Sequence, residues 1–472
     1  MRTLPLHLSS AVLVVGSLCL AGCPGRSGSS TAPTPKEYVD PDGPRRPAIE
    51  AQVKPFLDHE IVKGIVVGIY DGGRREIYGF GKGPNNQPPN GKTLFELGPV
   101  STIYTSLLLA DAVQRREVAL DKPVAELLPP GVTVPTFQKK AITLGALALH
   151  VSGLPPIPPS VAAKLDKPDR FGDYTEDRLY ADLVHTQLRY EPGTRLIEST
   201  FGSGLLGFVL GRKIGTGFRA ALAQRVLRPL GTTDTFIDAP PADAASRRAK
   251  GTNDDLVEQP LWTWGVLAGG GGLVSDAQDL LSLVDAEIDA AGGSKAPLRP
   301  AMRLTQESQL DGNGANLALG WRIDGFGRYF RNGNTAGFHA FVSFDVKSRR
   351  GVVVLANTSV SILDRLAANV YKVLEGAAVD PIEFPSADQL VALAGNYDLA
   401  GTKVQVLVNN KRLYVDGEGV RQRLVPMTPT EFWIEELPAV VVFEKGEGDT
   451  KDKFVRMVIA VGGQRINAVR TD

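Results

Sequence analysis

Thr93-Leu94-Phe95-Glu96-Leu97-Gly98-Pro99-Val100-Ser101-Thr102 is the stretch on which the fold of this chain turns. An apolar run closes at Gly98, and a helix is predicted over Ser101 to Gln114. There Ile103, Tyr104, Leu107, Leu108, Leu109, Ala112 and Val113 cover most of the circumference, so the helix is expected inside the domain. Pro99 suits a first helical turn, where its missing N–H would have no partner anyway.

Upstream, Ala51 to Glu60 reads as helical. Gly64 to Tyr70 is a β-branched run fit for a buried strand, Asp71-Gly72-Gly73 is a turn, and Arg74 to Gly81 returns as the second strand of a hairpin. Helical segments follow, and strands resume after about Leu317. The order implies an α/β (α+β) sandwich, one antiparallel sheet with packed helices. The character changes at Pro381-Ile382-Glu383-Phe384-Pro385. Beyond it, Val404 to Val408, Arg412 to Val415, Glu431 to Glu435, Val440 to Glu444 and Phe454 to Val461 alternate and are broken by turn residues, which predicts a small β-barrel. The expected organisation is a signal segment (1–22), a tether (23–44), a main domain (45–380) and the barrel (386–472).

The N-terminus carries a targeting signal. Arg2 is followed by a short apolar stretch, Ala11 to Leu20, and then by Leu20-Ala21-Gly22-Cys23, which is similar to the lipobox of bacterial lipoproteins. Cys23 is the expected lipid acceptor, and acyl chains worth about 0.8 kcal/mol per buried methylene would hold the protein on a membrane. Pro24 after the cysteine implies the outer membrane, with the protein facing the periplasm. Residues Pro24 to about Pro44 are rich in Pro, Gly and Ser and read as a flexible tether. Lys+Arg and Asp+Glu both total 52, so no net field favours nucleic acid. The two cysteines, Cys19 and Cys23, and five scattered histidines predict neither a disulfide in the body nor a metal site, and no cofactor is expected.

Five patches in order carry a family resemblance: Thr93 to Gly98, Ile142 to Pro155, Tyr190 to Thr194, Gly269 to Leu280, and Leu319-Gly320-Trp321 with Arg331 to Asn357. Together they resemble the penicillin-recognising serine hydrolases, in particular the class C β-lactamase, D-peptidase and esterase branch. The tail from about Ser386 resembles a β-barrel often appended to that family. The resemblance implies a serine at the start of the buried helix and a lysine three residues later, on the same helix face, to activate it. This sequence has Pro99 and Thr102 at those places. Proline has no hydroxyl to acylate and no N–H to offer an oxyanion, a donor worth roughly 3 kcal/mol in a transition state. The Tyr-Ser-Asn of the family corresponds to Glu198-Ser199-Thr200. Its Lys- or His-Thr-Gly corresponds to Arg331-Asn332-Gly333, with Asn334 as the remaining backbone donor.

Degenerate catalytic positions are therefore expected at Pro99, Thr102, Glu198 and Arg331. A ligand cleft is expected at Ser199, Thr200, Asn332, Gly333 and Asn334. Glu198 either pairs with Arg331 across the cleft floor or points to solvent; a sharper variant makes it a general base for water. No Ser-x-x-Lys occurs in the chain. Thr136-Phe137-Gln138-Lys139 has the spacing but reads as a surface loop, Ser101 should point away, and Ser152 belongs to a structural turn. His150 is read as a packing histidine, Trp262 and Trp264 as either cleft or core, and His339 is near the cleft by resemblance only. Three functions remain open: a catalytically silent relative that binds a peptidoglycan-type peptide or a protein partner, an active hydrolase with a relocated nucleophile, and a structural lipoprotein acting through its barrel.

Overall fold

Gly64–Asp71 (β1) and Arg74–Gly81 (β2) pair antiparallel about Gly72-Gly73, whose φ angles of 60° and 103° are those a two-residue hairpin turn needs. The computed structural model describes residues 43–472 apart from 165–168, 293–295, 308–309, 313–314, 418, 435–436 and 438. The signal segment, Cys23 and the tether as far as residue 42 lie outside the described residues. Ahead of the hairpin runs a helix, Arg46–Asp58 (α1), which starts earlier than predicted. Pro47 supplies a ready first turn, so the helix begins at the start of the main domain rather than at Ala51.

The hairpin is one end of an eight-stranded antiparallel sheet. Its other strands are Leu310–Gly312 (β3), Ala315–Ala318 (β4), Trp321–Ile323 (β5), Tyr329–Asn334 (β6), His339–Asp345 (β7) and Arg350–Ala356 (β8), in the spatial order β2-β1-β8-β7-β6-β5-β4-β3. Alternation along the strands feeds two cores. On the back face Ile65, Val67, Phe341 and Val354 pack with Ile49 and Phe56 of α1 and with Leu366 and Val370 of Asp364–Glu375 (α5). On the front face Val66, Val342 and Leu355 meet Leu107 of Ser101–Gln114 (α2), Leu205 of Thr200–Ile214 (α3) and Leu281 of Ala277–Ala291 (α4). Each such side chain fully withdrawn from water contributes about 1.5–3 kcal/mol. The sheet is thus covered on both faces. α2 is buried from Ser101 to Ala112, as its all-round apolar pattern predicts.

The C-terminal segment closes into an eight-stranded barrel: Gly395–Leu399 (β9), Thr402–Asn409 (β10), Arg412–Gly417 (β11), Val420–Pro426 (β12), Glu431–Ile434 (β13), Ala439–Lys445 (β14), Phe454–Val461 (β15) and Gln464–Arg470 (β16). Closure leaves no strand edge unpaired. Leu413, Leu424, Phe432, Val441 and Met457 fill its interior. β9, β12 and β16 are strands that the sequence reading did not name. They carry charge or amide groups where an alternating apolar set would be expected, and Gln464–Asn467 is exposed on successive residues.

The barrel leans on the main sheet's back core. Val425 of β12 is fully buried in the cluster beneath α1 and α5, and the half-buried Met427 packs there too. The Met427 carbonyl accepts from Arg365. On another flank Arg412 Nη1 donates to the Asp255 carbonyl at 2.6 Å, and the Tyr414 hydroxyl donates to Asp255 Oδ1 at 2.6 Å.

Candidate functional site

Four segments converge at the front of the sheet: the entry to α2, the end of β6, the irregular stretch before α3, and the turn at His150. At the first, Gly98–Val100 forms a single 3-10 turn and the α-helix proper starts at Ser101, with no side-chain cap. Gly98 has φ 51°, and a Cβ there would lie 3.0 Å from the Asn334 carbonyl oxygen. Only glycine lets the helix entry approach the strand this closely. The Thr102 hydroxyl donates to the Pro99 carbonyl at 2.8 Å and is spent within its own turn.

β6 pairs with β7 along its whole length, Arg331 opposite Val342 and Asn334 opposite His339, whereas its pairing with β5 stops at Phe330. Arg331 to Asn334 therefore turn an edge toward Pro99. The pleat then divides these four residues. Arg331 and Gly333 face the front; a Cβ on Gly333 would lie 2.6 Å from Pro99 Cδ, so the proline ring already occupies the space over the strand. Asn332 and Asn334 face the back. Asn332 Nδ2 donates to Asp364 Oδ2 at 2.6 Å, Asn334 Nδ2 donates to Ser361 Oγ at 2.7 Å, and Asn334 Oδ1 lies 2.7 Å from Nδ1 of the buried His339. The expectation of Asn332 in the cleft is corrected by this alternation, a period of two; Asn334, expected there through its backbone, also turns its side chain to the back.

The front face centres on an ion pair. Arg331, with only 4% of its side chain exposed, donates from Nη1 to Glu198 Oε1 at 3.0 Å and from Nη2 to Glu198 Oε2 at 2.6 Å. Of the two expectations for Glu198, the structure has the pair, although 43% of the Glu198 side chain also meets solvent. Two parallel charge-assisted bonds make this a geometrically specific contact. Arg322 Nε stands 3.9 Å from the same carboxylate. Burial opposes the Glu198 charge, but Arg331 foremost, then His150 and Arg322, overcome it and hold the carboxyl down at about 2. A carboxylate held so low is a weak base at neutral pH, which counts against the water-activating variant.

His150 completes the centre, and the sequence reading did not place it there. It is 5% exposed, and its Nδ1 accepts the Ser199 backbone N–H at 3.0 Å. A neutral ring thus carries its hydrogen on Nε2, which faces Glu198 Oε2 at 3.5 Å and has Arg331 Nη2, another donor, 2.9 Å away. Burial first, with the two arginines, pushes the imidazole down to about 4 against the pull of Glu198. The one signal in the sequence was position: a histidine on the loop that resembles the family's floor turn, eight residues after Ile142.

Ser199 is not open to a ligand as expected, whereas Thr200 is half-buried. The Ser199 hydroxyl caps α3, accepting the Gly202 N–H at 2.9 Å and donating to the Pro155 carbonyl at 2.6 Å, and the residue is 1% exposed. Thr200 lies against Gly270, where an added Cβ would be 2.4 Å from the threonine carbonyl oxygen. Ser101 Oγ accepts the Leu273 N–H and Ser152 Oγ the Leu154 N–H. Thr136 to Lys139 forms an outer turn closed by a bridge between Phe137 and Lys140. Trp264 stacks on Phe171 at 4.3 Å with Trp262 edge-on at 5.6 Å, while the Trp262 backbone N–H donates to the buried Glu96. These tryptophans are packing. Among the described residues no group of three potential metal ligands occurs.

The family described as Beta-lactamase matches residues 49–377. A "Beta-lactamase" of Pseudomonas fluorescens is 23% identical over 359 residues, which cover 68% of this chain and 96% of that protein. The "D-alanyl-D-alanine-carboxypeptidase/endopeptidase AmpH" of Escherichia coli (strain K12) is 28% identical over 225 residues, 46% of this chain and 55% of that one. Among solved structures, a class C beta lactamase from Rhodobacter sphaeroides superposes with a TM-score of 0.59 at 27% identity, covering 70% of this chain and 99% of that one. A class C beta-lactamase mutant gives a TM-score of 0.60 at 22% identity, over 70% and 97% of the two chains.

Proposed function

From the premise that this chain belongs to the beta-lactamase family, we propose that it is a member without hydrolytic activity, tethered in the cell envelope by Cys23, that acts by holding a peptidoglycan-type peptide or a protein partner. One observation carries the reading: Pro99 stands, packed against Gly333, at the helix entry where the family resemblance calls for an attacking hydroxyl. Thr102, at the activating position, has its hydroxyl engaged with Pro99 itself. Loss of a nucleophile alone costs on the order of a millionfold in rate.

The Glu198–Arg331 pair supports binding over chemistry. Arg331 is a buried cation whose counter-ion hangs on an irregular segment open to water on one side. A peptide ending in a carboxylate would enter by exchanging with Glu198 on the guanidinium. The relocated-nucleophile reading draws no support from Ser101, Ser152 or the Thr136 turn, each of which is engaged or remote as described.

The test is intact-mass measurement after incubation with a reactive penicillin probe. No adduct is expected on the wild-type chain. Pro99→Ser combined with Thr102→Lys should give at most a trace adduct while Glu198 remains. An acyl adduct on the unaltered protein would overturn the proposal.

A further inference from the structure

The backbone of Glu198 is fixed, while its carboxylate has a choice of partners. The Ile197 N–H donates to the His150 carbonyl at 2.8 Å and the Ser199 N–H to His150 Nδ1 at 3.0 Å, so the main chain is pinned on both sides of the residue. Its side chain, 43% exposed, stands between two guanidinium groups. Arg331 holds the carboxylate by the two bonds described above. Arg322, on β5, has its Nε 3.9 Å from Oε1, within ion-pair reach but short of a hydrogen bond, and its side chain is 34% exposed. Arg322 also lies 5.9 Å from the centroid of the Phe330 ring, beside the strand position that carries Arg331. Arg331 has a second hold of its own, from Nε to the Pro99 carbonyl at 3.5 Å.

Charge sets what such a centre takes up. Burial pushes the His150 imidazole down to about 4, so at neutral pH two guanidinium groups face one carboxylate and one positive charge is left over. A carboxylate entering from the cleft balances that charge without expelling any group from the protein. The fork of Arg331 matches a planar monoanion with two parallel bonds, but only once Glu198 has left it. A displaced carboxylate needs a new partner, because a part-buried charge left alone is costly. Arg322 stands within reach of a side-chain rotation. We propose that Arg322 is the positioning residue of a counter-ion switch: an entering carboxylate takes Arg331 while Glu198 turns onto Arg322. The switch rests on the reading of Arg331 as the ligand's seat, and adds where the displaced group goes.

The experiment is titration calorimetry of the full chain with acetate, and with acetamide as the uncharged control, across a cycle of Glu198→Gln and Arg322→Met. Acetate should bind and acetamide should not. Glu198→Gln should tighten acetate about tenfold, because the seat is then open. Arg322→Met, at a part-exposed position, should weaken acetate about fivefold in the wild-type background and less than about twofold where Glu198 is already replaced. An equal loss in both backgrounds would make Arg322 a direct ligand and overturn the switch, as would no loss in the wild-type background. A second measurement needs no ligand: the carboxyl carbon-13 resonance of Glu198 followed against pH in Arg331→Met. Its midpoint should stay below about 4.3, the ordinary glutamate value, and return there when Arg322→Met is added. A midpoint indifferent to Arg322 would overturn the proposal. Acetate refused by every variant would overturn it together with the reading beneath it, whereas acetate bound with Arg322 indifferent overturns the switch alone.

Discussion

The two faces of β6 use consecutive residues for different ends. On the front, Arg331 and Gly333 build a tight centre in which a buried cation, a half-exposed carboxylate, an imidazole and a proline ring leave no slack. On the back, Asn332 and Asn334 join Asp364, Ser361 and His339 in a neutral-to-anionic amide network beside α5. The front concentrates charge and steric contact in one place; the back spreads modest hydrogen bonds over several side chains. Front-face changes should therefore be costly and directional, and back-face changes mild.

The largest expected effect is an asymmetry within the ion pair. Glu198→Ala strands Arg331 in a nearly dry site and should cost about 3–4 kcal/mol in urea unfolding, whereas Arg331→Met leaves a carboxylate that water already reaches and should cost less than half of that. Equal losses would mean that the pair is an ordinary surface contact. Next comes acid. An unfolded histidine titrates near 6.5 while His150 in the fold is pushed down to about 4, so the unfolded chain binds the extra proton between those values and stability falls as pH drops through that window. The loss should approach about 3 kcal/mol and should vanish in His150→Gln; an unchanged pH slope in that variant would place the titrating group elsewhere. Below about 4.3, Glu198 adds to the decline, because its depressed value of about 2 means that its contribution is present above the unfolded pKa and lost as pH falls toward 2.

Third, Gly333→Ala forces a methyl within 2.6 Å of Pro99 Cδ and 2.8 Å of the Pro99 nitrogen, neither of which is a flexible chain end. A loss of about 2 kcal/mol is expected, and pairing it with Pro99→Gly should return part of that; strict additivity would refute the contact. The smallest effect belongs to the back. Asn332→Ala removes one hydrogen bond to Asp364, whose side chain is 37% exposed, and should cost about 1 kcal/mol. A larger loss there than at Glu198 would erase the contrast between the faces.

Much of this arrangement was legible before any coordinates. β1, β2 and α2 announce themselves by a β-branched run, a double-glycine turn and an all-round apolar helix, and Phe454–Val461 by its apolar run between turn signals. Glu198 and Arg331 could be set opposite each other only because the family resemblance supplied the third dimension, since 133 residues separate them. Asn332 was misplaced although the rule that moves it was at hand: once Arg331 and Gly333 face the cleft, the residue between them must face away. His150 escaped for a different reason. Its neighbours are apolar, so the local pattern describes its burial and says nothing about which charges arrive from β6 and from the stretch before α3. β16 escaped because exposed successive side chains write no period at all.

Val425 belongs by chain to the barrel and by packing to the layer under α1 and α5. Cutting the protein before Ser386 would therefore not subtract an accessory; it would leave an open socket in the larger body, and a truncated fragment's behaviour would report that wound as much as any missing activity. The same shared plug makes heat act on both parts together, so calorimetry should record a single absorption peak rather than two.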